Sequence, residues 1–266
     1  MLVTIILSGA VLFIIYRFKI ELREGYEYAG RAAAPVKSRL LPVPREYKEI
    51  LSKYFTYYTR LSPADKQKFE QKLCYFIYSK KFIPRNVPEV TTEAKVLIGA
   101  CAVQLTFGLL HVYLSHFTRI LVYPDDYYSS ITRRFHKGEV NPAFGIIVLS
   151  WKSFVDGYIY PTDSVNLGLH EMAHALRLEN IIYNEEYQFF DENLIDQLND
   201  YAHRICNVTQ HDDDLFFRSY ACTNTHEFFA VAVENFFERP RPFRDALPEL
   251  YSILATLLNQ DPAQAA

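Results

Sequence analysis

Residues 170–174 read His-Glu-Met-Ala-His. Histidines four apart share one face of a helix, where both imidazoles can address a single metal ion. Glu171 projects beside them and can take a proton from a water polarised by that metal. Zinc suits such a set. It accepts imidazole and carboxylate ligands in tetrahedral geometry, leaves one position open for water, and lowers the pKa of that water to ~7. The flanking residues Leu167, Leu169, Met172, Ala173, Ala175 and Leu176 are apolar. The helix is therefore expected to be buried rather than solvated. Two histidines and a carboxylate in a buried helix are costly without a partner, and a metal is the natural one.

A catalytic zinc takes a third protein ligand. Position 180 is asparagine, which excludes the longer HExxHxxGxxH pattern. The downstream candidates are Glu179, Glu186, Asp191, His203, His211, His226, Glu227 and Glu234. Glu227 and Glu234 stand two helical turns apart in an apolar helical stretch with Phe228, Phe229, Val231 and Phe236. Acids in such surroundings call for a buried purpose. Spacing alone does not rank Glu227, His226 and Glu234, although His226 reads as a helix-start residue.

The elements that must position these residues are mainly helices. Helical patterning begins near Tyr47. Ser62-Pro63 reads as an N-cap followed by proline at the first helical position. The helix it opens carries Phe69, Leu73, Phe76 and Ile77 and is expected to stop near Pro84. A second helix, from Thr92 and Glu93, runs through VLIGACAVQLTFGLL and reads as buried on most sides. Arg119–Tyr123 and Gly145–Trp151 are β-branched runs bounded by turn residues and read as strands. Between them, Asp125–Glu139 reads as an irregular segment or hairpin. Helices are expected over Ser164–Leu178, Glu192–Cys206, Asn224–Glu238 and Pro240–Leu258, with a polar loop over Gln210–Asp214. The pattern predicts an α+β fold, mainly helical, with a small β-sheet.

The chain has 266 residues, half of them apolar, enough for one large domain with a sizeable core. Its 20 Tyr and 20 Phe read as an aromatic-rich core. A net charge of −3, without a basic stripe, gives no ground for direct nucleic-acid binding. The four cysteines, Cys74, Cys101, Cys206 and Cys222, are far apart and form no CxxC. That argues against a disulfide framework or a cysteine-rich metal site and for a reducing compartment, with a Cys206–Cys222 bridge as the disfavoured alternative.

The chain opens with sixteen uncharged residues, MLVTIILSGAVLFIIY. As a helix they reach ~24 Å, a little under the ~30 Å hydrocarbon core. Phe18 and Ile20 extend the run, and Arg17 and Lys19 can snorkel to headgroups. Basic residues follow the run instead of preceding it, which favours a retained transmembrane anchor over a cleaved signal peptide. The same charges favour a cytoplasmic catalytic domain. Residues 1–20 are thus read as anchor, 21–44 as linker, and 45–266 as the catalytic domain.

Five separated stretches carry a resemblance: ILVYPDDY at 120–127, GIIVLSW at 145–151, HEMAHAL at 170–176, SYACTNTHEFFAVAVENFFERP at 219–240, and LYSILATLLNQDP at 250–262. Over roughly residues 45–260 the chain resembles the Mlc titration factor A family, also called glucose-regulated metallopeptidases. The resemblance implies a zincin-like fold, with Zn2+ held by His170, His174 and Glu227 and with Glu171 as general base. It implies a substrate-steadying role for Tyr220 in the manner of an oxyanion-hole donor. Glu234 matches a recurrent acid suited to holding a zinc histidine. The family also brings the expectation of a transcriptional-regulator partner. Familiar members follow the second histidine with Lys-Leu-Asp, where this chain has Ala175, Leu176 and Arg177. The sequence thus predicts a membrane-tethered zinc metallopeptidase that hydrolyses peptide or protein substrates. The alternative is a metallopeptidase-like binding protein that sequesters a regulator.

Overall fold

The structure is a computed structural model. It describes residues 41–129, 133–160, 163–182, 188–208 and 216–265. The expected anchor, residues 1–20, and nearly all of the linker lie outside the described residues. Among the described residues no helix is long and apolar enough to cross a membrane. The fold is α+β and mainly helical, with one four-stranded sheet and a two-stranded hairpin.

Three helices open the domain: α1 (Arg45–Tyr54), α2 (Thr56–Arg60) and α3 (Pro63–Ser79). Ser62 caps α3 as expected, its side chain accepting from the Asp65 amide with proline at the first position. The helix stops at Ser79, short of Pro84, because Lys81–Pro84 forms a strand, β1. Four residues are too few to show a strand period, and the run reads as the tail of a helix until its partner is known. That partner is β2 (Arg119–Tyr123), paired in parallel with Lys81 opposite Arg119. Parallel pairing needs a crossover, here the buried helix α4 (Thr92–Thr106).

The segment expected to be irregular or a hairpin contains the hairpin β3 (Tyr127–Ser129) and β4 (Arg134–His136), then β5 (Gly138–Asn141). Strand β6 (Ile146–Ser150) pairs in parallel with β2 and antiparallel with β5. The order β1-β2-β6-β5 leaves β5 at the sheet edge. The apolar run of β6 ends where the Ser150 side chain caps α5 (Trp151–Ile159), a helix the sequence does not announce.

The helix carrying the His-Glu-Met-Ala-His segment, α6, spans Leu167–Ile182. It packs against α4, β5, β6 and the later helix α8 (Thr225–Glu238). Gly168 permits this: a Cβ there would meet Phe154 at 2.6 Å and the Cys101 sulfur at 3.0 Å. Near its other end the buried Glu179 accepts from the Ser115 and His116 amides, while the buried Lys80 donates to the Leu114 carbonyl alongside.

Helix α7 (Glu192–Val208) precedes a 3-10 turn at Ser219–Thr223. The expected loop at Gln210–Asp214 lies outside the described residues. After α8 come α9 (Pro240–Ala246), α10 (Pro248–Leu258) and α11 (Pro262–Ala265). One helix was expected over Pro240–Leu258. Pro248 splits it, because the residue before a proline is pushed out of the α region, and Leu247 sits at φ −133°, ψ 64°.

The expected absence of disulfides is corrected. Cys206, at the end of α7, is bonded to Cys222 in the 3-10 turn, with Cα atoms 5.4 Å apart. The two cysteines stand sixteen positions apart, a spacing that does not announce their pairing in the sequence. Cys74 and Cys101 are free and buried.

Candidate metal centre

Asn166 sets the start of α6. Its carbonyl accepts from the His170 amide and its side-chain oxygen from the Leu169 amide. Its own amide donates to Glu234 at 2.7 Å, and its side chain donates to Gly157 and Glu238. The cap thus fixes α6 to α8. Asn224 caps α8 in turn, its side chain accepting from the His226 and Glu227 amides.

With both helices fixed, three ligand atoms converge. His170 Nε2 and His174 Nε2 are 3.0 Å apart, and Glu227 Oε2 lies 3.1 Å and 3.4 Å from them. Glu227 Oε2 is buried without a hydrogen bond of proper geometry, although the two imidazole nitrogens are this close. Converging lone pairs with no directed donor are what a cation would satisfy. Tetrahedral zinc with ~2.0–2.1 Å bonds holds its ligand atoms about 3.3 Å apart, so the residues fit such an ion. Among the described residues, His170, His174 and Glu227 form the group able to hold a metal.

Glu234 completes the setting of His170. Its carboxylate, wholly buried, accepts from His170 Nδ1 at 2.7 Å, which leaves Nε2 facing the cluster. Arg218 donates to both Glu234 oxygens, at 2.6 Å and 3.2 Å. With the Asn166 amide, this buried carboxylate is fully partnered. Burial pulls the His170 pKa down, but the Glu227 and Glu234 carboxylates outweigh it and raise it to about 10. Burial likewise pushes Glu227 up, yet the two imidazoles hold it well below the usual carboxylate range.

Glu171 is buried beside them, its pKa raised to about 7 by burial, against the pull of His170 and His174. Gly138 of β5 passes directly against its carboxylate. Tyr220 stands at the open side, half exposed, its ring 6.1 Å from that of His170. Burial and the neighbouring Glu227 push its phenol up to about 12. Tyr127, stacked on Tyr123 at 4.4 Å, is a second phenol near the base, raised by burial, Glu139 and Glu171.

The remaining sequence candidates go elsewhere. Glu179 accepts backbone amides, Asp191 accepts from the Leu194 amide, and His203 is exposed on α7. Glu186 and His211 lie outside the described residues. His226 contributes no atom to the cluster, and its pKa is lowered, mainly by burial. Arg177, the departure from the familiar Lys-Leu-Asp, donates to the Thr225 carbonyl and Asn199 and lies over the Phe229 ring. It joins the His-Glu-Met-Ala-His helix to the helix bearing Glu227. Sequence reasoning missed Asn166, Gly138 and Arg218. An asparagine just before an apolar helical run is a capping signal that could have found the first; nothing local marks the other two.

The chain is similar to several known proteins. The chain is 27% identical over 232 residues to an uncharacterized protein of Synechocystis, covering 80% of this chain and 83% of that one. It is 26% identical over 224 residues to the Mlc titration factor A of Klebsiella pneumoniae, covering 77% and 82%. The Edwardsiella ictaluri protein of the same name is 27% identical over 206 residues, covering 71% and 77%. A profile of glucose-regulated metallo-peptidases matches residues 31–258, most of the chain. The chain belongs to the glucose-regulated metallo-peptidase M90 family.

Proposed function

We propose that this chain is a zinc-dependent peptidase, with His170, His174 and Glu227 as ligands, Glu171 as general base and Tyr220 as a substrate-steadying donor. The observation that carries the proposal is three ligand atoms 3.0–3.4 Å apart beside a buried carboxylate. Zinc, when bound, supplies a water of lowered pKa and positive charge for the substrate carbonyl. Glu171 takes a proton from the attacking water and passes it to the leaving amine, a task that its near-neutral pKa suits. Glu234 keeps the His170 proton on Nδ1. The Tyr220 hydroxyl donates to the developing oxyanion. The edge strand β5, which passes Glu171, can receive an extended peptide by strand addition.

The test is metal analysis of the purified chain with turnover of a peptide panel, with and without chelator. One zinc per chain and chelator-sensitive hydrolysis are expected. A zinc-loaded protein inert across the panel, or hydrolysis indifferent to chelator, overturns the reading.

The name Mlc titration factor A, borne by several relatives, supports a second reading: binding of a transcriptional regulator. Glu171 favours hydrolysis over pure binding, since a binding surface has no use for a buried proton acceptor. Attachment to a membrane through residues 1–20 stays part of the proposal on sequence grounds. The Cys206–Cys222 bond shifts the expected compartment of the catalytic domain from the cytoplasm to an oxidising one.

A further inference from the structure

Arg218 lies just before the Ser219–Thr223 turn and belongs to none of the groups that touch substrate or metal in the proposal above. Its guanidinium nevertheless joins three parts of the site. It donates to both oxygens of Glu234, the carboxylate that accepts from His170 Nδ1. It donates at 2.7 Å to the carbonyl of Ser164, held in the left-handed region at φ 63°. It stands 5.8 Å from the centre of the Tyr220 ring. Its backbone carbonyl accepts from the Ala221 amide and so begins the turn on which Tyr220 rides. The far end of that turn is tied to α7 through Cys222.

We propose that Arg218 is a positioning residue that sets both halves of the centre, orienting His170 through Glu234 and seating the Tyr220-bearing turn against the same carboxylate. The first half rests on the zinc-site reading, and the second on the role given to Tyr220. Arginine is needed for its shape. Its planar fork meets two carboxylate oxygens at once, whereas a lysine ammonium is a single point of charge. Because one side chain serves both halves, the geometry of the ligand histidine and of the phenol cannot drift independently.

The test uses the full chain with Arg218→Met and Arg218→Lys. Zinc affinity is measured by competition with a chelating dye, and hydrogen exchange is followed at residues 219–223. Turnover is measured at saturating zinc, alone and combined with Tyr220→Phe. Arg218→Met is expected to weaken zinc binding by ~10–100-fold, the range for partners that orient a ligand. Exchange at 219–223 should rise, and the turnover loss should shrink when Tyr220 is already phenylalanine. Arg218→Lys should recover part of each effect, and it stands in if the methionine variant does not fold, as melting of the metal-free protein reports. An unchanged zinc affinity, or unchanged exchange at 219–223, overturns the proposal. A parent protein without any turnover sinks the peptidase reading instead, and those two readouts then decide the role of Arg218.

Discussion

Gly138 and Glu171 meet so closely that a Cβ on Gly138 would stand 2.5 Å from Glu171 Oε1 and 2.6 Å from its Cδ. The edge strand and the proposed base therefore share one space, and a Cβ at position 138 would push the carboxylate from its place. Gly138→Ala is expected to keep zinc and lose turnover by on the order of 10²-fold, the cost of moving a reacting group by about 1 Å. In a Glu171→Gln background the same change should cost far less. Equal losses in both backgrounds would show that the glycine serves the strand and not the base.

Glu171→Gln should hold zinc as tightly as the parent, because Glu171 contributes no atom to the ligand cluster. Turnover should fall by roughly 10²-fold or more, the usual general-base contribution. Steady-state kinetics on a zinc-replete sample decide it, and near-parental turnover would remove Glu171 from the mechanism.

Glu227 and His226 are neighbours in sequence with different expected fates. Glu227→Ala should weaken zinc by more than the ~10–100-fold that orienting partners are worth. His226→Ala should leave affinity within about twofold, since its side chain contributes no atom to the cluster. A dye-competition titration of both variants separates them, and the reverse ranking would mean that the third ligand is misassigned.

The pH profile follows from the two perturbed groups. Glu171 acts as base only when ionised, and its pKa is raised to about 7. A bound cation lowers it from there, so kcat/KM should rise with pH through an apparent value at or below 7. Tyr220 donates only when protonated, and its phenol is pushed up to about 12. A bound cation beside Glu227 lowers it as well, so the alkaline fall should come at or below about 12. Tyr220→Phe should cut kcat strongly, leave the acid limb in place and spare zinc affinity. A variant with parental rate would reduce Tyr220 to packing.

The Cys206–Cys222 bond closes a loop of about the size for which the chain-entropy argument gives ~3 kcal/mol. A Cys206→Ala, Cys222→Ala double variant should unfold at lower denaturant. It should also lose turnover more than zinc, because the bond fixes the turn bearing Tyr220 and touches no proposed ligand. Rapid alkylation of the chain taken from cells should leave these two thiols protected. Full labelling of both would show that the bond does not form in the chain's own compartment.

Much of the site was legible because it is written in short-range patterns. The spacing of His170 and His174 is a helical property, and the apolar residues around them announce burial. Glu227 needed the family resemblance, since helical spacing treats it and Glu234 alike; the fold separates them by aiming one at the two Nε2 atoms and the other at Nδ1. What stayed hidden depends on long-range pairing. Strand β1 is recognisable only beside β2, and Gly138 matters only because β5 crosses Glu171. Arg218 meets a carboxylate sixteen residues away through folding alone. The disulfide is of the same kind, for its geometry arises where α7 and the 3-10 turn come together.

Glu179 lies nine residues beyond His170, roughly 180° around the helix. One face of α6 is thus gripped through His170 by Glu234, and the opposite face through Glu179 by the amides of Ser115 and His116. An apolar helix in an apolar bed can roll about its own axis at small cost, since dispersion contacts have little direction. At ~5–6 Å from the axis, a roll of about 10° carries an imidazole nitrogen roughly 1 Å. That is enough to spoil a reacting geometry by about 10²-fold. Two polar grips on opposite faces act as a bearing lock. The helix is fixed in azimuth as well as in position, by a carboxylate at the far side of the molecule's chemistry.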